Sequence, residues 1–137
     1  MKMPDKIARS LIAHCGFNCN TCVAYLRERN KCHGCNNNDE NKPHHCTKCA
    51  IKFCEVRLAN NYEYCYQCQK KCQRIKQLDK RYIKNYDVSL LENLEQIKND
   101  SIDGFLVNET KKWTCQECGG IICQHTKKCS ECQKSFK

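Results

Sequence analysis

The chain has 137 residues, 24 Lys and Arg against 15 Asp and Glu for a formal charge of +9, and 16 cysteines. Leu, Ile, Val and Phe together supply only 25 residues, under the fifth of a chain at which burial normally offsets ordering entropy, so a large apolar core is excluded and another source of folding energy is required. No run of about 18 apolar residues is available to span a bilayer, and residues 1–15 carry Pro4, Asp5, Lys6 and Arg9 with too short an apolar run for an export signal.

These features predict a cytoplasmic setting with no membrane association, in which thiols stay reduced and available to metal rather than paired as disulfides. Twelve cysteines fall in six Cys-x-x-Cys pairs: Cys19/Cys22, Cys32/Cys35, Cys46/Cys49, Cys65/Cys68, Cys115/Cys118 and Cys129/Cys132. That spacing lets one tight turn point two sulfurs at one tetrahedral ion. Zinc is the expected metal, about three or four ions per chain, and its binding energy is expected to replace the missing core. An iron–sulfur cluster is the alternative, since Cys15-x-x-x-Cys19-x-x-Cys22 is also a cluster-binding spacing. Zinc binds thiolate, so each four-cysteine site carries a net −2, and four such sites would take +9 to +1. The basic excess then says little about a polyanionic partner.

In chain order, residues 1–72 read as a Cys-rich metal-binding module of irregular loops. Thr21 to Arg29, with Val23, Leu26 and good helix formers, predicts two helical turns capped by Asn20 or Thr21. Residues 36–43 predict a polar, mobile loop. The expected ligands are Cys15, Cys19, Cys22, Cys32, Cys35, Cys49, Cys54, Cys65, Cys68 and Cys72, with Cys46 unassigned. A third site would need a histidine such as His14, His33, His44 or His45. Interleaved and sequential pairings satisfy the same spacings, so one binuclear centre and two or three mononuclear ones fit equally.

Residues 73–112 read as a helical segment. A helix over about residues 70–85 follows from Ile75, Leu78 and Tyr82 at helical spacing, with Lys70, Arg74, Arg81 and Lys84 on the neighbouring stripe. Ser89-x-x-Glu92 predicts a capping box before a second helix whose apolar face is Leu90, Leu91, Leu94 and Ile97. Asn99, Asp100 and Gly104 predict a break, and a third helix over residues 103–112 carries Phe105, Leu106 and Val107.

Residues 113–137 read as a zinc ribbon with minor β content. Cys115-Gln-Glu-Cys118-Gly-Gly and Cys129-Ser-Glu-Cys132 are two knuckles separated by a short β-like segment. Gly119 supplies the positive φ that turns backbone amides toward the sulfurs, whereas the second knuckle has Gln133 there. Cys123 and His125 lie between the knuckles, where Cys123 can replace a knuckle cysteine in a four-sulfur site and His125 can do so in a three-sulfur, one-nitrogen site, although a bystander role is the default for each. The fold class is therefore a small, metal-stabilised, α-rich protein with irregular Cys-rich loops and a C-terminal zinc ribbon.

From His14 to His125 the chain also resembles a family of small bacterial and archaeal cysteine-rich proteins classed as a domain of unknown function. The resemblance rests on Cys15-Gly16-x-x-Cys19-x-x-Cys22, Cys32-x-Gly34-Cys35, Cys49-x-Ile51-x-x-Cys54, Cys65-Tyr66-x-Cys68 with Cys72, Leu78-Asp79-x-Arg81-Tyr82, Leu91-x-Asn93-Leu94 and Trp113-x-Cys115-x-x-Cys118-Gly119-Gly120. Cys46 is additional, and Lys71 stands where similar sequences often carry proline. The resemblance implies metal binding and no particular activity.

The functional expectation is a zinc-binding interaction or regulatory module with a protein partner. Nucleic-acid binding through Lys70, Arg74, Arg81 and Lys84 beside Tyr62, Tyr64 and Tyr66 is one alternative, and a metal-dependent enzyme or redox protein is another. No phosphate loop, zinc-protease motif or nucleophile elbow supports catalysis.

Overall fold

The computed structural model describes residues 1–49, 51–68 and 73–136. Helix dominates it: α1 is Val23–Leu26, α2 His44–Thr47, α3 Glu55–Ala59, α4 Gln73–Tyr86 and α5 Leu90–Trp113. Single 3₁₀ turns occur at Arg9–Leu11, Cys19–Thr21 and Cys65–Gln67. Extended backbone pairs only through isolated antiparallel bridges, among them Lys2 with Gly120, Thr114 with Ile121 and Ile122 with Cys129. No described helix is long and apolar enough to cross a membrane.

The helical segment forms for the reasons its periodicity gives. In α4, Ile75 is buried, and Leu78 and Tyr82 pack against the same core. The predicted residues 70–72, with Lys70 of the basic stripe, lie outside the described residues. Ser89 caps α5, its hydroxyl accepting from the Glu92 N–H at 3.2 Å. The predicted break is present inside α5: Ser101 leaves helical geometry at φ 67° and ψ 166°, and its hydroxyl accepts from the Gly104 N–H at 3.4 Å, capping the second half.

Leu90, Leu94, Ile97, Phe105 and Leu106 then face the core with Ile7, Leu11, Ile12 and Phe17. Leu91 and Val107 instead face outward, at 41% and 53% exposure. The predicted stripes therefore take in one residue too many on each half of α5. In the first segment the expected two-turn helix shrinks to the single turn α1. Cys22 occupies its N-cap, Ala24 is buried, and Val23 is exposed.

Asp79 joins α4 to α5. Its carboxylate, only 7% exposed, accepts from the Ser89 hydroxyl at 3.0 Å and from the Leu91 N–H at 3.1 Å. These two bonds satisfy a buried charge and hold the helix start in place. Asp79→Ala is expected to cost about 2–3 kcal/mol in denaturant unfolding, with Asp79→Asn losing less because it keeps an acceptor.

The Cys15-Gly16 turn is fastened to the same place. Gly16 has φ +92°, and a Cβ there would lie 3.1 Å from the Leu90 carbonyl oxygen and from the Leu94 Cγ. The Asn93 side-chain amide donates to the Gly16 carbonyl at 3.1 Å. The first cysteine turn is thereby set against the first turn of α5.

The two ends of the chain also meet. The Met3 N–H donates to the Gly119 carbonyl at 3.0 Å, and the Ile121 N–H donates to the Met1 carbonyl at 2.9 Å. Further along, the Gln124 N–H donates to the Thr21 carbonyl at 2.9 Å, and the Gln124 side chain donates to the Thr21 hydroxyl at 2.6 Å. Asn18, Asn20, Thr21 and Gln124 are all buried at this seam. Hydrogen bonding, more than apolar area, joins the first cysteine segment to the last.

Candidate metal centre

Two turns of the same shape bring the C-terminal sulfurs together. The Gly119 N–H donates to the Cys115 carbonyl at 2.8 Å, and the Gln133 N–H donates to the Cys129 carbonyl at 3.0 Å. Gly119 has φ 75° and Gln133 has φ 64°. The second knuckle thus adopts the left-handed geometry without glycine, at a steric cost that its Cβ carries. Gln133→Gly is expected to raise thermal stability by about 0.5–1 kcal/mol with metal stoichiometry unchanged.

The sulfurs of Cys115, Cys118, Cys129 and Cys132 all lie within 4.8 Å of one another. Cys118 and Cys129 are 3.5 Å apart, and Cys115 and Cys132 are 3.8 Å apart. A tetrahedral zinc ion with Zn–S bonds of about 2.3 Å places its sulfurs about 3.8 Å apart, so the donor set fits that ion. Cys115 and Cys129 are buried and Cys132 is exposed, so the group sits at a rim with its inner half shielded by Trp113 and Ile122. Trp113 is itself held between the Lys112 and Lys127 ammonium groups, at 5.3 and 5.1 Å from its ring.

The electrostatics match a cation at the centre. Burial opposes ionisation of Cys129, yet the Cys132 and Glu131 backbone amides and the neighbouring thiols bring it down to about 7. At Cys132, the Lys134 amide favours the thiolate, but burial and the sulfurs of Cys118, Cys115 and Cys129 outweigh it and push the group up to about 11. Four thiols this close ionise one at a time against mutual repulsion, and a divalent ion removes that obstacle.

Glu117 and Glu131, one in each knuckle, are engaged in ion pairs and are not poised as bases. Glu117 meets Lys134 at 2.6 Å, and its carboxyl is lowered by that contact. Glu131 pairs with the Met1 amine, which lowers it likewise. Cys123 is buried but is not one of the four converging sulfurs. His125 is carried away from them altogether: the Val23 N–H donates to its Nδ1 at 3.2 Å, and its ring meets Tyr86 edge-on at 4.6 Å.

The upstream cysteines are placed differently. Cys15, Cys19 and Cys22, with Cys32 and Cys35, then Cys46 and Cys49, line one cavity of about 460 Å³. The neighbouring Cys19 and Cys46 thiols favour the Cys35 thiolate and lower Cys35, and both are raised in turn. Cys54, Cys65 and Cys68 do not line this cavity, although Cys65 lies close enough to Cys15 to act on its charge. Cys72 lies outside the described residues.

Of the histidines considered as extra ligands, His14 donates from Nδ1 to the Glu63 carbonyl at 2.5 Å, and His33 faces the Glu40 carboxylate at 3.6 Å. His125, which sequence places in the ribbon, lines the upstream cavity instead.

Lys42, beside Cys35, is the buried charge that sequence reasoning misses. Its side chain is fully buried, and its ammonium donates to the Cys35 and Asn37 carbonyls at 3.1 and 3.0 Å and to the Asp39 carboxylate at 2.7 Å. The polar loop over residues 36–43 is therefore wound around a cation beside Cys35. Among the tyrosines expected to offer a stacking platform, Tyr64 is 3% exposed and stacks on Tyr66 with centroids 6.2 Å apart.

Comparison with known proteins returns no matching family model, no curated relative and no similar solved structure.

Proposed function

We propose that this chain is a zinc-binding protein whose residues 113–137 form a zinc ribbon, and that zinc acts there as a structural ion in a cytoplasmic interaction module. The carrying observation is the set of four sulfurs within 4.8 Å of one another. Four thiolates fill the tetrahedral shell and leave no position for a substrate, which is the arrangement of a structural site rather than a catalytic one. Within this reading the chain belongs with the small bacterial and archaeal cysteine-rich family that its motifs resemble.

An interaction role draws support from the surface beside α3, where Phe53, Val56 and Leu58 are 54%, 46% and 52% exposed. Large apolar side chains grouped on one short stretch favour a protein partner over a nucleic acid. Of the three tyrosines that the nucleic-acid alternative uses, Tyr64 is buried and Tyr62 and Tyr66 are half-buried.

Elemental analysis of the purified chain tests the metal reading. Zinc is expected in the wild type, with one ion fewer per chain in the Cys115→Ser/Cys132→Ser variant. Equal zinc in the two proteins would overturn the assignment.

A further inference from the structure

The cavity upstream of α4 is built on a different plan from the C-terminal site. Its thiols come from three separate stretches of chain: Cys15 to Cys22, Cys32 to Cys35, and Cys46 to Cys49. Cys15, Cys19, Cys22, Cys32, Cys35, Cys46 and Cys49 all stand in its wall. Yet among the described residues no three of these sulfurs converge as the C-terminal four do. They form a ring around a space rather than a cage around a point.

A mononuclear zinc site draws its thiolates together at about 3.8 Å and leaves no room between them. The C-terminal group of this same chain shows that geometry. A ring of thiols about a void suits an inorganic core, in which sulfide bridges several metal ions and each protein thiolate binds a different ion at the periphery.

We propose that this cavity is the binding site of an iron–sulfur cluster, held by four of its seven thiolates. Three further observations support it. A backbone N–H already points at one of the sulfurs, that of Gly34 reaching Cys32 Sγ at 3.4 Å. Such a bond stabilises metal-bound thiolate.

Cations are placed to offset the negative charge of a cluster with four thiolates. The buried Lys42 ammonium lies against the Cys35 carbonyl, and Arg74 and Arg81 of α4 stand in the cavity wall. Phe17, Leu78 and Tyr82 complete that wall with apolar surface, which shields a cluster from water and oxidants. Ferrous and ferric iron enter in equal parts with inorganic sulfide, so no net electron is gained or lost in assembly, and each ligating thiol gives up its proton to solvent as its Fe–S bond forms. This reading is independent of the ribbon, since the two sites share no ligand.

The test uses the full chain under anaerobic conditions, supplied with equal parts of ferrous and ferric iron and with sulfide, and then desalted. Iron and acid-labile sulfide are expected in equal amounts, roughly four each per chain, with a visible absorption band that dithionite bleaches. The Cys19→Ser/Cys35→Ser variant is expected to lose iron and sulfide while retaining the zinc held by Cys115 and its partners. The Cys115→Ser/Cys132→Ser variant is expected to show the reverse.

Should the first variant fail to fold, X-ray absorption at the iron edge of the wild type still decides, because a cluster gives iron–iron scattering and isolated ions do not. Retention of iron without sulfide would overturn the proposal. So would equal loading of wild type and the folded Cys19→Ser/Cys35→Ser variant.

Discussion

On the proposed reading of the C-terminal site as a structural zinc site, a chelator is expected to unfold residues 113–136 and expose Trp113. The apolar cluster there consists of Trp113, Cys115, Ile122 and Cys129, so two of its four buried members are themselves ligands. The backbone is joined by isolated bridges and offers no continuous ladder to hold the shape unaided. A structural zinc site contributes an apparent binding energy on the order of 10–16 kcal/mol, well above what that cluster can supply.

Cys129→Ser, or treatment of the wild type with a strong chelator, is expected to shift Trp113 fluorescence to the red and to destabilise the segment by more than about 4 kcal/mol. The helical signal of α4 and α5 should largely persist. Acidification should act in the same direction. The metal-bound state holds the thiolates deprotonated, so their effective pKa is depressed on binding. The stabilisation is present at neutral pH and is lost as pH falls and protons compete for sulfur. A fluorescence titration that shows no metal or pH dependence would sink this expectation.

The second large effect belongs to a glycine rather than a ligand. A Cβ at Gly120 would lie 2.8 Å from the Cys129 sulfur and 2.8 Å from both Cβ and Cγ of Glu131. These atoms have little freedom to retreat, because the Gly120 carbonyl accepts from the Cys115 N–H at 2.8 Å and holds the backbone beside the first knuckle. Gly120→Ala must therefore displace a metal-binding sulfur, and zinc affinity should fall about 10- to 100-fold in chelator competition.

Gly119→Ala makes the informative contrast. A Cβ there meets nothing within 4 Å, but the residue sits at φ +75°. It should cost about 1–2 kcal/mol of thermal stability through backbone strain while leaving zinc affinity nearly unchanged. Identical losses of affinity in both variants would mean that the clash with Cys129 is not the operative contact.

Local features of this protein were legible from local pattern. The spacing of Cys115, Cys118, Cys129 and Cys132 picks out the four sulfurs that converge, because one knuckle turn is encoded within a few residues. Helical periodicity locates α4, Ser89 marks the start of α5, and the polar run before Gly104 marks the break at Ser101.

What escaped is non-local. Nothing in the neighbourhood of Lys42 shows that its ammonium is buried beside Cys35, since a lysine in a polar loop is ordinarily solvated. Asp79 reads as one more exposed charge on an amphipathic helix until the start of α5 is packed against it. His125 falls between the ribbon cysteines in sequence but lines the other cavity in space, because residues 123–128 fold back over α1. Of the seven upstream thiols at the cavity, six were expected from their spacing as candidate ligands and Cys46 was left unassigned. Their arrangement around a space of about 460 Å³ depends on how three loops pack, which spacing alone does not encode.

The meeting of the chain's two ends has a kinetic consequence. The ligands of the C-terminal site lie within residues 115–132, so metal closes a short loop there at small entropic cost. The bridge between Lys2 and Gly120 closes a loop of nearly the whole chain, which is slow to find and worth little until its far side is already rigid. On the proposed zinc reading, the knuckles are expected to capture metal first and residues 1–3 to dock afterwards onto the edge thus formed, so that metal supply would set the clock for that closure.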